Sequence, residues 1–193
     1  MTERMTSGQA VIRTLSRFGI DTVFGLPGIQ LDPLFDGLYG QRQTIRTVHT
    51  RHEQGSAYMA LGYAQASGKV GVFAVVPGPS ILNAIAALAT AAGSNIPVLA
   101  LTGQIPSYQI GLGLGIPHEL KDQTMALKGV VSWVERAETP AAAPALLAQA
   151  FRSMLRARQQ AAIFEMAPRY FGKNRRRRPA RLPPGARTPA ARL

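Results

Sequence analysis

VGVFAVVPGPSILN, residues 70–83, is a run of seven residues without a polar side chain that enters Pro77-Gly78-Pro79 and continues into a segment with helical apolar spacing. A strand with one wet face alternates apolar and polar residues. An unbroken apolar run is covered on both faces, as in a parallel sheet sandwiched by helices. Working outward, nearly continuous apolar runs appear at 98–102 and 162–166, and further strand candidates lie at 22–24, 45–48 and 130–134. Between them the apolar period changes to that of helices. Thr6 or Ser7 caps a first helix that turns Val11, Ile12, Leu15 and Phe18 to one face and stops at Gly19. Other helical patterns fall at 31–39, 52–66, 79–92, 120–127 and 140–158. Strand and helix in alternation predict an α/β fold: a doubly wound, mainly parallel six-stranded sheet with helices on both faces.

Such a fold binds its ligands in the loops at the carboxyl ends of the strands. Four loops therefore matter. Gly25-Leu26-Pro27-Gly28 is a tight turn that serves either as a plain turn or as a place where backbone approaches a ligand. His49-Thr50-Arg51-His52-Glu53 sets Glu53 near a helix start, where a carboxylate either complements the helix dipole or does chemistry. Pro77-Gly78-Pro79-Ser80-Ile81-Leu82-Asn83 leads into the small-residue stretch AIAALATAA, suited to close packing. The fourth loop follows Gln104 and carries glycines at 111, 113 and 115, which follow no strand closely and open no clear helix, so they form no dinucleotide motif. His49, His52 and Glu53 lack the shared helical face that a zinc site needs, and no metal ligands are expected.

The formal charge of +12 suggests nucleic acid until it is divided. Residues 173–193 hold eight of the 22 basic residues and no acid, leaving 14 basic against ten acidic groups before them. The basic signal is that of an Arg/Pro-rich tail, NRRRRPARLPPGARTPAARL, expected to be disordered. It reads as a solvated tail, an extension of a broken reading frame or, less simply, a nucleic-acid contact. A single domain is expected at 1–172. The absence of cysteine removes disulfides and thiolate chemistry, and the apolar runs are too short for a membrane span, so a cytoplasmic protein is expected.

The order VFGLPG (23–28), RHEQGSAYMALGYAQASGKVGV (51–72), PGPSILNAIAALATA (77–91) and IPVLALTGQIP (96–106) resembles the N-terminal, pyrimidine-binding domain of acetolactate synthase-like thiamine-diphosphate enzymes, over about residues 5–172. The resemblance implies thiamine diphosphate as cofactor and a 2-oxo acid as substrate, in decarboxylation or carboligation. It makes Glu53 the catalytic carboxylate, bonded to N1′ of the aminopyrimidine ring. A dry site there would raise its pKa. By the same match Pro27, Gly28, Gly78, Pro79 and Asn83 lie against the cofactor. His118 stands where the family commonly has glutamine, in Ile116-Pro117-His118-Glu119, and either acts as an acid or base on the substrate or is a surface histidine of an irregular loop.

The family's magnesium and diphosphate motif, GDG followed by NN, does not occur in these 193 residues. Magnesium is thus expected on an absent domain or a partner chain, and the chain alone is expected to be inactive. Three readings stay open: a truncated or frame-broken enzyme; the small subunit of a two-subunit decarboxylase of the sulfopyruvate or phosphonopyruvate type; and a non-catalytic binding module. A homo-oligomer or a chain carrying the diphosphate-binding domain is the expected partner. Exposed apolar surface near 59–66 and 84–92 would mediate the pairing.

Overall fold

The computed structural model describes residues 6–156 and 158–167 of the chain. Helix α1 (Ser7–Arg17) opens with a capping box: Thr6 accepts from the Gln9 backbone N–H while the Gln9 side chain accepts from that of Thr6. Such a cap stabilises a helix by about 1 kcal/mol. The chain leaves α1 through Gly19, in the left-handed conformation (φ 76°), and enters β1 (Thr22–Gly25). A 3-10 turn (Ile29–Leu31) and α2 (Asp32–Gly40) lead to β2 (Arg46–His49), α3 (Glu53–Ser67) and β3 (Gly71–Val75). Next come α4 (Pro79–Asn83), α5 (Ile85–Gly93), β4 (Val98–Gly103), α6 (Gln123–Lys128), β5 (Trp133–Ala137), α7 (Ala143–Met154) and β6 (Ala162–Met166).

The strands form one sheet in the order β2-β1-β3-β4-β6-β5, and every neighbouring pair is parallel. The fold is doubly wound, as the alternating pattern predicts. β3 and β4 are buried at every residue, and β6 at all but its last, because a helical layer covers each face. One layer packs Val11, Ile12, Leu15, Leu34, Leu38 and Phe151 from α1, α2 and α7; the other packs Ala60, Leu61, Ile81, Leu88 and Leu127 from α3 to α6. The lateral order of strand addition reverses between β1, from which the chain moves outward to β2, and β3, from which it moves the other way to β4. The loops after β1 and β3 lie side by side at that switch point, with the Leu26 N–H donating to the Ala74 carbonyl at 3.1 Å.

Three local expectations shift. The helical pattern at 79–92 is broken at Ala84, which ends α4 and caps α5. The strand expected at 130–134 starts at Trp133, because the amides of Val130 and Val131 bond back to Leu127 and finish the turn of α6. The expected apolar surface at 84–92 is divided: Ala84, Ala87, Leu88 and Ala91 are buried on the sheet, whereas Ala86 and Ala89 are exposed, as are Tyr58, Met59 and Leu82 nearby. The expected tail, 173–193, lies outside the described residues.

At the amino end of the sheet, Asp21 accepts hydrogen bonds from Lys69 Nζ (2.6 Å), Tyr63 Oη (2.5 Å) and Thr22 Oγ1 (3.0 Å), tying β1 to α3 and the approach to β3. The Lys69 bond first, then that of Tyr63, brings its pKa from 3.8 to about 2. A depressed carboxylate stabilises the fold above its unfolded pKa and loses that contribution as pH falls through the folded one. The side chain is 43% exposed, so after solvent screening the effect is on the order of 1 kcal/mol. Urea denaturation of Asp21→Asn against the unmodified chain should show a stability gap near neutral pH that closes between pH 3.8 and about 2; a gap that persists through that window would refute this account.

Candidate functional site

The carboxyl edge of β1, β2 and β3 carries the site. Thr50, after β2, donates its backbone N–H to the Gly25 carbonyl and its hydroxyl to the His52 carbonyl (3.0 Å). Its single hydroxyl hydrogen is thereby used, so the 2.6 Å contact with Ser56 has Ser56 as donor. His52 caps α3, its Nδ1 accepting from the Gln54 N–H at 3.2 Å. Glu53 is then the first residue of α3, in the acidic-favoured first turn.

Across the switch point, α4 turns Ser80 and Asn83 toward this carboxylate. Ser80 Oγ donates to Oε1 at 2.8 Å and Asn83 Nδ2 to Oε2 at 3.0 Å. Burial pushes the Glu53 pKa up and is the largest single influence. Hydrogen bonds from Asn83, from its own backbone N–H and from Ser80, with the nearby His52, together outweigh it, so the pKa lies below the ordinary glutamate value. The rise expected from desolvation is thus corrected: the half-buried carboxylate keeps enough donors to favour its charged form.

The remaining predicted residues gather around the turn between β3 and α4. Gly78 has φ 67°, a conformation that L side chains rarely adopt, and a Cβ there would sit 2.6 Å from the His118 carbonyl oxygen. His118, itself at φ 68°, lies 3.0 Å through Nδ1 from the Pro77 carbonyl. A carbonyl only accepts, so Nδ1 carries the hydrogen and Nε2 of the neutral ring has the free lone pair. Gly28 packs on Val76 so closely that a Cβ would lie 2.5 Å from Cγ1. Pro27, Pro79 and Asn83 are exposed at this rim. Glu53 and His118 therefore converge on one stretch, 77–83. Glu119 instead folds the preceding turn, accepting from the amides of Leu114, Gly115 and Ile116. His49 ends β2, and among the described residues no group of three His, Cys, Asp or Glu could hold a metal.

Residues 5–127 match the family described as "Thiamine pyrophosphate enzyme, N-terminal TPP binding domain". The chain belongs to that family. It is 40% identical over 147 residues to the probable 2-ketoarginine decarboxylase AruI of Pseudomonas aeruginosa, covering 76% of this chain and 26% of that protein. An acetolactate synthase of Mycobacterium avium is 39% identical over 149 residues, covering 77% and 23%. The acetolactate synthase large subunit of Corynebacterium glutamicum is 38% identical over 123 residues, covering 64% and 20%. The chain thus spans about a quarter of the length of such relatives. No helix among the described residues is long and apolar enough to cross a membrane.

Sequence reasoning missed three residues of the candidate site. Ser80 was legible, since it lies three residues before Asn83 and shares its helical face. Gln123 and Glu165 were not. Gln123 reaches Gly78, 45 positions earlier, and Glu165 is wholly buried at the end of β6 with its pKa raised chiefly by that burial. Replacing Ser80 or Asn83 by Ala removes a donor that favours the charged form of Glu53, so each variant should raise the Glu53 titration midpoint in carboxyl NMR. A midpoint unmoved in both would show that these bonds do not form in solution.

Proposed function

We propose that this chain supplies the pyrimidine-binding half of a thiamine-diphosphate site in an acetolactate synthase-like 2-oxo acid decarboxylase or carboligase, with Glu53 as its catalytic carboxylate. The observation that carries the proposal is the Glu53 carboxylate itself, set by α3 at the carboxyl edge of the switch point and fixed by Ser80 and Asn83. The residues fit the cofactor. The Glu53 carboxylate accepts from Ser80, Asn83 and its own backbone N–H, which leaves one of its four lone-pair sites for a ring N–H, and the rim formed by Pro27, Pro79 and Asn83 is open to a ligand.

When bound, thiamine diphosphate supplies an electron sink for the loss of carbon dioxide from a 2-oxo acid. Glu53 holds and shares a proton at the ring nitrogen N1′, for which an acceptor kept charged by local donors is suited. Ser80 and Asn83 keep both carboxylate oxygens aimed. Pro27, Gly28 and Pro79 would form the wall against which the ring rests, with the buried Gly78 peptide backing it, and His118 would offer Nε2 as acid or base toward the substrate. Magnesium and the diphosphate are held by a second surface, on another copy, a partner chain or a further domain.

The likeness to both an acetolactate synthase and a 2-ketoarginine decarboxylase sets the two activities to assay: acetolactate formation and release of carbon dioxide from 2-ketoarginine. Calorimetry with thiamine diphosphate and magnesium should detect weak binding or none by the chain alone. A chain bearing the diphosphate-binding domain should restore both binding and turnover. In that complex Glu53→Gln should lower turnover by about 10²–10⁴-fold, the usual worth of a positioned proton-transfer group. Full activity of the Gln variant would remove Glu53 from the mechanism.

A further inference from the structure

Gln123 is 2% exposed, and its amide head is fully used. Oε1 accepts from the Gly78 N–H at 2.7 Å, while Nε2 donates to the Gly103 carbonyl at 3.2 Å and to Glu165 Oε1 at 2.9 Å. Glu165 takes a further bond on its other oxygen from Thr124 Oγ1 at 3.0 Å. With both amide hydrogens committed behind it, the oxygen of Gln123 must face Gly78. Only Asn shares that set of one acceptor and two donors on a planar head, and it is one methylene shorter.

The bond falls on a peptide with no freedom to seek another partner. Gly78 is buried and left-handed, and the His118 backbone occupies the space where a side chain would be. Without an acceptor its N–H would be orphaned, at the cost of a buried unsatisfied donor. The neighbouring end of the same peptide group, the Pro77 carbonyl, is taken by His118. Two residues later α4 presents Ser80 to Glu53, and Asn83 follows one turn on.

We propose that Gln123 is a positioning residue: it clamps the Gly78 peptide so that α4 delivers Ser80 and Asn83 to Glu53, and Glu165 holds the Gln123 amide in the orientation this needs. Its importance for a cofactor rests on the function proposed above, whereas the wiring from α6 through Gly78 to Glu53 does not.

The test is the carboxyl NMR titration of Glu53 in the full chain without cofactor. Gln123→Met keeps the length of the side chain and loses the acceptor; Gln123→Asn keeps the amide and loses the reach. Both should raise the Glu53 midpoint, in the direction expected of Ser80→Ala, while the chain stays folded. Thr124→Val, which strips Glu165 of its other bond and leaves the Gln123 clamp in place, should leave the midpoint unchanged. A merely stabilising role for Gln123 would lower the melting temperature and leave the Glu53 midpoint where it is, and that result in both variants would overturn the proposal. Independently of any variant, the Gly78 amide of the unmodified chain should be protected from hydrogen exchange, and free exchange there would equally overturn it. Binding of thiamine diphosphate in the assembled complex is measured separately. A complex that fails to bind it would remove the proposed function and leave the clamp standing; normal binding with an unmoved Glu53 midpoint would do the reverse.

Discussion

The peptide group joining Pro77 to Gly78 is the constraint on which the site depends. It lies where β3 hands the chain to α4 beside the switch point, in a place too buried for water to satisfy it. Its carbonyl meets His118 and its N–H meets Gln123, so one flat unit is held from both ends by residues from the long segment after β4. A parallel strand ends with its last amides and carbonyls aimed along the sheet, and a helix must begin within three residues. The left-handed glycine makes the corner, and the two side chains fix it.

Glu53 shows how the same geometry sets a charge. Burial alone would push the pKa of a carboxylate there upward, as it does for Glu165, which stays raised despite two hydrogen bonds. Glu53 is less deeply placed and collects donors from three sources: its own helix start, Ser80 and Asn83. The two glutamates therefore lie on opposite sides of their ordinary value for one physical reason, the ratio of donors to depth. The helix macrodipole and the function proposed for Glu53 do not compete as explanations. The position that favours an acid at the start of α3 also carries it to the edge of the sheet.

Legibility in the sequence followed the range of the interaction. β3, β4 and β6 announce themselves because their burial on two faces is written in consecutive residues. The capping box of α1 and the stop at Gly19 are local too. Val130 and Val131 misled because an apolar pair reads alike in a strand and in a helix-ending turn that is tucked into the core. The break at Ala84 has no signature, since alanine suits the interior of either helix; it arises where α4 is held by Gly78 at one end and α5 lies along the sheet at the other. Gln123 and Glu165 were out of reach because their partners lie 20 to 45 residues away along the chain, and a glutamine at a helix start carries no message about which distant amide it will meet.

The support for the candidate site comes from one side. Behind Glu53 stand Ser80, the Gly78 peptide, Gln123 and Glu165, in a polar chain that runs into the buried end of the sheet. In front stand Pro27, Pro79 and Asn83, exposed. A rigid back and an open front are what a site shared with a second surface requires: the carboxylate must hold its aim before the partner arrives, because ordering it afterwards would draw on the energy of association. A covering surface would also strip water from Glu53 and push its pKa upward, against the bonds that now hold it down. Under the proposed function that opposition is useful, since a carboxylate drawn from both directions is one that can accept a proton from the ring and return it.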